Sequence, residues 1–88
     1  MKNKVLIKII FPEVNDTFDL FIPVNEQIWK VSRLITKSIF DLCGLSFDLS
    51  KDTYALYDCI SGKLYNPNDI VINTDIRNGS EILLIYSK

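Results

Sequence analysis

Phe18-Asp19-Leu20-Phe21-Ile22-Pro23-Val24-Asn25-Glu26-Gln27-Ile28-Trp29-Lys30-Val31-Ser32-Arg33-Leu34-Ile35 changes its hydrophobic period halfway along. Up to Pro23, Phe18, Leu20 and Ile22 alternate with Thr17, Asp19 and Phe21. That period of two sends successive side chains to opposite faces of a strand. From Ile28 onward the spacing is three and four: Ile28, Val31, Ile35, Ile39 and Leu42 line one helical stripe, with Lys30, Arg33, Lys37 and Asp41 on the far side. Pro23 ends the strand. Asn25 is placed to cap the helix, and Glu26 lies where a first-turn carboxylate favours the helix dipole. Gly44 sits where a C-cap would. The reading is strand, short connection, then a helix from Asn25 to Leu42.

Upstream, Val5, Ile7, Ile9 and Phe11 alternate with Lys4, Leu6, Lys8 and Ile10, a further strand signal. Pro12-Glu13-Val14-Asn15-Asp16 supplies turn residues, so the first two strands form a hairpin. Downstream, Leu45 to Lys51 is a connector and Tyr54-Ala55-Leu56-Tyr57 a third strand. Ser61-Gly62 is a turn, Lys63-Leu64-Tyr65 a short fourth strand, and Asn66-Pro67-Asn68-Asp69 a loop. Ile70-Val71-Ile72 has room for one helical turn. Asn78-Gly79 turns the chain into a last strand, Glu81 to Tyr86, apolar enough to be central in its sheet. The order is β-β-α-β-β-β, which fits doubly wound and split-βαβ arrangements poorly. The expected class is α+β: a mixed sheet of four to five strands packed on one helix, with the first and last strands parallel and adjacent in the middle.

That order resembles ubiquitin and its relatives over nearly the whole chain, implying one β-grasp domain over residues 1–88. Phe18-x-Leu20-x-Ile22, five residues, then Ile28-x-x-Val31-x-x-x-Ile35 looks like the second strand and helix face of that fold. Ile76-Arg77-Asn78-Gly79-Ser80-Glu81-Ile82-x-Leu84 looks like the approach to its last strand. Among bacterial ubiquitin-like proteins the chain is most similar to the YukD/EsaB family, through its size, Phe18-Asp19-Leu20 and Ile76-Arg77-Asn78-Gly79. Heavy use of Ile, Lys and Asn suits an AT-rich genome. The resemblance implies a cytoplasmic accessory or regulatory component of a type VII secretion system in a Gram-positive bacterium. Its partners would be cytosolic parts of the machinery's membrane proteins, or a second copy in a homodimer.

Composition narrows the chemistry. The chain has 88 residues, 48% of them hydrophobic and 24% charged, the profile of one folded domain. A net charge of −1 offers no electrostatic case for nucleic acid or an anionic membrane. No apolar run approaches the roughly 20 residues that span a bilayer. Met1-Lys2-Asn3-Lys4 imitates a signal-peptide start, but Lys8, Pro12 and Glu13 interrupt the apolar run beside it. Cys43 and Cys59 are far apart; one disulfide is possible, but the expected state is two buried thiols in a reducing cytosol.

Catalysis has little to work with. There is no histidine, neither cysteine has a basic neighbour in sequence, and Asp41, Asp48, Asp52, Asp58, Asp69 and Asp75 are scattered at turns and element ends. No metal site and no cofactor is expected: two cysteines are too few for the cluster of a β-grasp ferredoxin. Ser61-Gly62-Lys63 and Asn78-Gly79-Ser80 lack the glycines and strand–loop–helix setting of a phosphate loop. Conjugated modifiers and sulfur carriers of this fold end in a flexible Gly-Gly, whereas this chain ends Leu84-Ile85-Tyr86-Ser87-Lys88. A modifier or carrier is thus the disfavoured alternative, and a generic ubiquitin-like adaptor the third.

Non-catalytic protein binding remains, with two candidate surfaces. If Val5, Ile7 and Ile9 point to the helix, then Leu6, Ile10, Phe21, Leu83 and Ile85 point away and make an apolar outer sheet face. By resemblance Leu83 and Ile85 match last-strand positions of the ubiquitin partner surface, with Tyr57 beside them. The second candidate is Trp29, Arg33 and Phe40. Trp29 lies about 100° round the helix from Ile28, and Phe40 falls near it on the helical wheel. Two readings of Trp29 stand: a lid over the core edge, or an exposed aromatic anchor. Lys30, Arg33 and Lys37 on the outer helix face read separately, as a solvated surface or as a docking patch for an acidic partner.

Overall fold

Period two becomes a hairpin at once. In the computed structural model, which describes residues 3–46 and 53–87, β1 (Lys4–Phe11) pairs antiparallel with β2 (Asp16–Pro23) from Phe11↔Asp16 to Lys4↔Pro23. Pro12 opens a single 3-10 turn, Pro12–Val14. Asn15 closes it in the left-handed region (φ 54), its N–H donating to the Pro12 carbonyl at 3.0 Å. β3 (Thr53–Asp58) and β4 (Glu81–Ser87) complete a four-stranded sheet of order β2-β1-β4-β3. β1 and β4 are the central, parallel pair, as expected of an apolar last strand. Gly79 (φ 87) makes the turn that brings β4 alongside β1, its N–H donating to the Leu6 carbonyl at 2.8 Å.

The short fourth strand expected at Lys63-Leu64-Tyr65 does not form. One bridge, Tyr57↔Leu64, is all that remains of it. The chain touches the β3 edge through Asp58 N–H to Lys63 O and Tyr65 N–H to Leu56 O, and then leaves. The cause is Asn66-Pro67: Pro67 has no N–H to continue a ladder, and the Asn66 side chain accepts the Asn68 N–H at 2.9 Å in a tight turn.

The helix, α1 (Ile28–Cys43), starts three residues later than its sequence suggests. Asn25 does not cap it and Glu26 lies outside it. Val24 and Glu26 instead accept the N–H groups of Ile72 and Val71, which hold the bend at 24–26 against the 3-10 turn Val71–Asn73 and leave only Gln27 extended before the helix. The open N-terminus is capped by the 66–70 loop: Ile28 and Trp29 N–H donate to the Asp69 and Pro67 carbonyls at 2.9 and 3.1 Å. At the other end Gly44 is left-handed (φ 70), and Leu45 N–H reaches the Phe40 carbonyl at 2.8 Å.

The core lies between α1 and the inner sheet face. Ile28, Val31, Ile35 and Ile39 meet Ile7, Ile9, Ile22, Leu56, Ile82 and Leu84, with Val71 and Ile76 also buried. The buried arc of α1 is wider than the apolar stripe. Ser32 and Thr36 lie inside it because their hydroxyls donate back to the Trp29 and Ser32 carbonyls. The arc ends on Phe40, and Leu42, expected in the core, is 69% exposed in the last turn. Both cysteines are free; Cys43, expected to be buried, is exposed as the final residue of α1, and Cys59 is half-buried.

Candidate protein-docking faces

Strand parity and register together set the outer sheet face. Leu6, Ile10, Phe21, Tyr57, Leu83 and Ile85 all fall on it. Leu6 and Phe21 are exposed, and the other four are half-buried by their neighbours on the sheet. Register then sorts them into rows. Leu6 stands opposite Phe21, and one row on, Lys8 stands between Asp19 and Glu81. The next row runs Thr17, Ile10, Leu83, Tyr57, and the one after holds Ile85 beside Ala55. The expected single apolar patch is therefore two patches divided by a charged stripe. One is the pair Leu6 and Phe21; the other is Ile10, Leu83, Tyr57 and Ile85. Parity alone does not reveal the stripe, because it shows only that Lys8, Asp19 and Glu81 face out. That they share a row depends on a pairing made across most of the chain's length. With a carboxylate on each side, Lys8 gives the stripe mixed charge.

The outer face of α1 carries the second surface. Trp29 is 38% exposed, and its indole N–H donates to Gln27 Oε1 at 3.0 Å. Lys30 Nζ and Arg33 Cζ lie 5.5 and 5.4 Å from the indole centroid. Lys30 also pairs with Glu26 at 3.7 Å. Phe40 is not part of this surface. It is buried further along the helix, its ring 5.9 Å from Phe11 and 5.7 Å from Tyr54. Trp29 and Phe40 share a wheel angle, but the helix end turns under the aromatic residues of β1 and β3, so depth along the axis separates them.

A separate concavity is polar, an open cleft of about 410 Å³ lined by Asp58, Ser61, Lys63, Tyr65 and Asp75 among others. Its polar groups serve the loop itself. Ser61 Oγ donates to Asp58 Oδ2 at 2.8 Å, which holds the Asp58 carboxyl below its ordinary range. Tyr65 Oη donates to Asp75 Oδ1 at 2.9 Å. Partial burial, then this hydrogen bond and the Asp75 charge, push the Tyr65 phenol above its ordinary value. The fold thus favours the protonated phenol. The contribution is complete below the ordinary tyrosine pKa of about 10 and is lost as pH rises past it. Tyr65→Phe should cost about 0.5–1 kcal/mol at pH 7 in urea titrations. The gap between the two proteins should narrow above about pH 10; a constant gap would show that the phenol proton is not what Asp75 holds.

Among the described residues no cluster of histidine, cysteine and carboxylate side chains is placed to hold a metal ion, and no helix is long and apolar enough to cross a membrane. No family profile and no curated protein matches the sequence. Solved structures do match. A chain of the MycP5-free ESX-5 inner membrane complex, State II, aligns over 97% of this chain at TM-score 0.74 and 12% identity. This chain spans only 21% of that one. The EccD5 ubiquitin-like domain from Mycobacterium xenopi aligns over 97% of this chain and 96% of its own length, at TM-score 0.74 and 12% identity. The N-terminal ubiquitin-like domain of the 4931431F19Rik protein aligns over 98% of this chain and 77% of its own, at TM-score 0.72 and 16% identity. The chain has the ubiquitin-like β-grasp fold. At such identities the likeness carries the fold and not the activity. In this ubiquitin-like frame the outer sheet face and the outer face of α1 lie on opposite sides of the molecule. A partner on one leaves the other open.

Proposed function

We propose that residues 1–88 form a single cytoplasmic ubiquitin-like domain that acts by binding protein without catalysis, as an accessory or regulatory component of a type VII secretion system of the YukD/EsaB kind. The observation that carries the binding role is the outer-face cluster of Ile10, Tyr57, Leu83 and Ile85, four large half-buried side chains over which no helix or strand packs among the described residues. Burying any one of them fully against a partner would contribute about 1.5–3 kcal/mol at most, less what the sheet already covers. The secretion context is supported by the YukD/EsaB resemblance of the sequence and by the likeness to EccD5, a type VII secretion component. The occupants to expect are cytosolic parts of secretion-system membrane proteins, or a second copy of the chain.

The test is a paired affinity capture from the source bacterium, with the native chain and Leu83→Asp as baits and mass spectrometry as readout. Secretion-system membrane proteins should be retained by the native chain and lost by at least about tenfold from the variant, a change of about 1.4 kcal/mol. Equal recovery by both baits would remove the sheet face from the reading. Recovery of an activating enzyme or of covalent adducts would replace binding with a modifier role.

A further inference from the structure

We propose that the outer face of α1 around Trp29 is a second docking site, built for an acidic segment of a partner protein that carries an apolar side chain between its carboxylates. The indole is held before anything binds. Its N–H is taken by Gln27 Oε1, and Gln27 Nε2 donates in turn to the Asn68 carbonyl at 3.3 Å, tying the ring to the capping loop. A ring fixed in advance loses little freedom on binding. Trp29 and the 53% exposed Leu34 line an open groove of about 400 Å³, with Glu26, Lys30, Arg33 and Lys37 as its other lining residues.

Charge decides what fits. α1 carries Lys30, Arg33 and Lys37 against one carboxylate, Asp41, on a chain whose net charge is −1. Lys30 is already paired with Glu26, but among the described residues no carboxylate pairs with Arg33 or Lys37. The groove therefore offers an apolar floor beside two uncompensated cations one helical turn apart. An Asp or Glu on each side of a Leu or Phe would satisfy both features. A polyphosphate chain or an anionic bilayer fits less well: Glu26 lines the same groove, Asp41 lies a turn beyond, and three cations make a short track. This site does not depend on the sheet face, and the two can fail separately.

Trp29 is the single tryptophan, so its fluorescence reports the surroundings of this one ring. The ring borders both this groove and a smaller concavity beside Tyr54 and Pro67; the Arg33 and Lys37 substitutions tell the two apart. The native chain is titrated with a short synthetic peptide in which Leu is flanked by Asp and Glu, and with its Asn and Gln counterpart. The acidic peptide should give a saturable emission change that weakens severalfold between about 50 and about 500 mM NaCl. The neutral peptide should bind at least about tenfold more weakly, as should the acidic peptide to a variant carrying Arg33→Glu and Lys37→Glu. The Arg33→Gln, Lys37→Gln pair provides the same contrast if charge reversal disturbs the helix. Leu83→Asp should respond as the native chain does. No saturable change up to about 1 mM peptide, equal binding of the two peptides, or indifference to the substitutions would overturn the proposal. So would a stronger response to single-stranded RNA or to phosphatidylglycerol vesicles than to the peptide.

Discussion

Ile82→Asp should leave the chain without a cooperative folded state, whereas the same substitution one residue later, Leu83→Asp, should leave it folded. Ile82 sits on the inner face of central strand β4 with no exposed area, opposite Ile9 on β1. Aspartate there forfeits about 1.5–3 kcal/mol of apolar burial. It also buries a carboxyl with no partner, which costs several kcal/mol even if the group takes up a proton. A domain of this length is stable by only about 4–13 kcal/mol, so the two losses together match the whole margin. Leu83 lies on the outer face between Ile10 and Tyr57, and its carboxylate would still reach water. Its cost should stay near 1–2 kcal/mol. Circular dichroism and amide proton dispersion at 25 °C distinguish the pair. If Ile82→Asp kept native dispersion while Leu83→Asp lost it, β4 would be shifted by one residue and the face assignment reversed.

Phe11→Ala should lower stability by about 3–5 kcal/mol, the range for truncating a fully buried aromatic. At the β1 end of the core, Phe11 has no exposed area. Its ring lies 5.9 Å from Phe40 in a stacked arrangement and 5.7 Å from Tyr54 edge-on; Phe40 and Tyr54 are themselves 5.7 Å apart. Removing one corner of that triangle leaves two rings facing a void that backbone on three elements cannot collapse around. In a chain this size the melting temperature should drop by more than about 12 °C. Phe21→Ala, on the outer face and 54% exposed, should cost less than about 1 kcal/mol in the same urea titrations. Near-equal losses from the two would mean that the triangle is not a rigid part of the core.

Both predictions rest on features whose visibility in the sequence differs. The inward set of β1, Ile7, Ile9 and Phe11, is readable from alternation alone, because a strand's faces are fixed by parity once its apolar residues repeat every second position. The same holds for Ile82 and Leu84, and for Ile28, Val31, Ile35 and Ile39 on the helix. Phe40 is not readable in this way. Its helical angle pairs it with Trp29, and only the aromatic residues of β1 and β3 gathered at that end of α1 draw it inward. Ser32 and Thr36 are buried for a reason a polarity scale hides: each satisfies its hydroxyl on its own helix.

The candidate surfaces divide in the same way. Which residues face outward on the sheet is legible in the sequence, because it is local. Sequence by itself thus determined the order of the four strands and the helix, though its pattern also predicts a strand at 63–65 that does not form. It further determined the inner face of each strand, the helix and its Gly44 stop, and the absence of histidine chemistry. Tertiary structure decided the rest, wherever a partner distant in sequence supplies the deciding contact. The parallel register of β1 on β4 puts Glu81 beside Lys8 and splits the apolar face. Carbonyls of Pro67 and Asp69 supply the helix cap that no side chain supplies, and Ile70–Ile72 hold Asn25 out of the helix. Pro67 turns the chain away from β3 before a fifth strand can form. A backbone hydrogen bond carries no mark of residue type, so the helix cap and the strand register leave no trace in the pattern of side chains, whereas the Asn66-Pro67 turn is marked in the sequence and only its effect on the β3 edge is not.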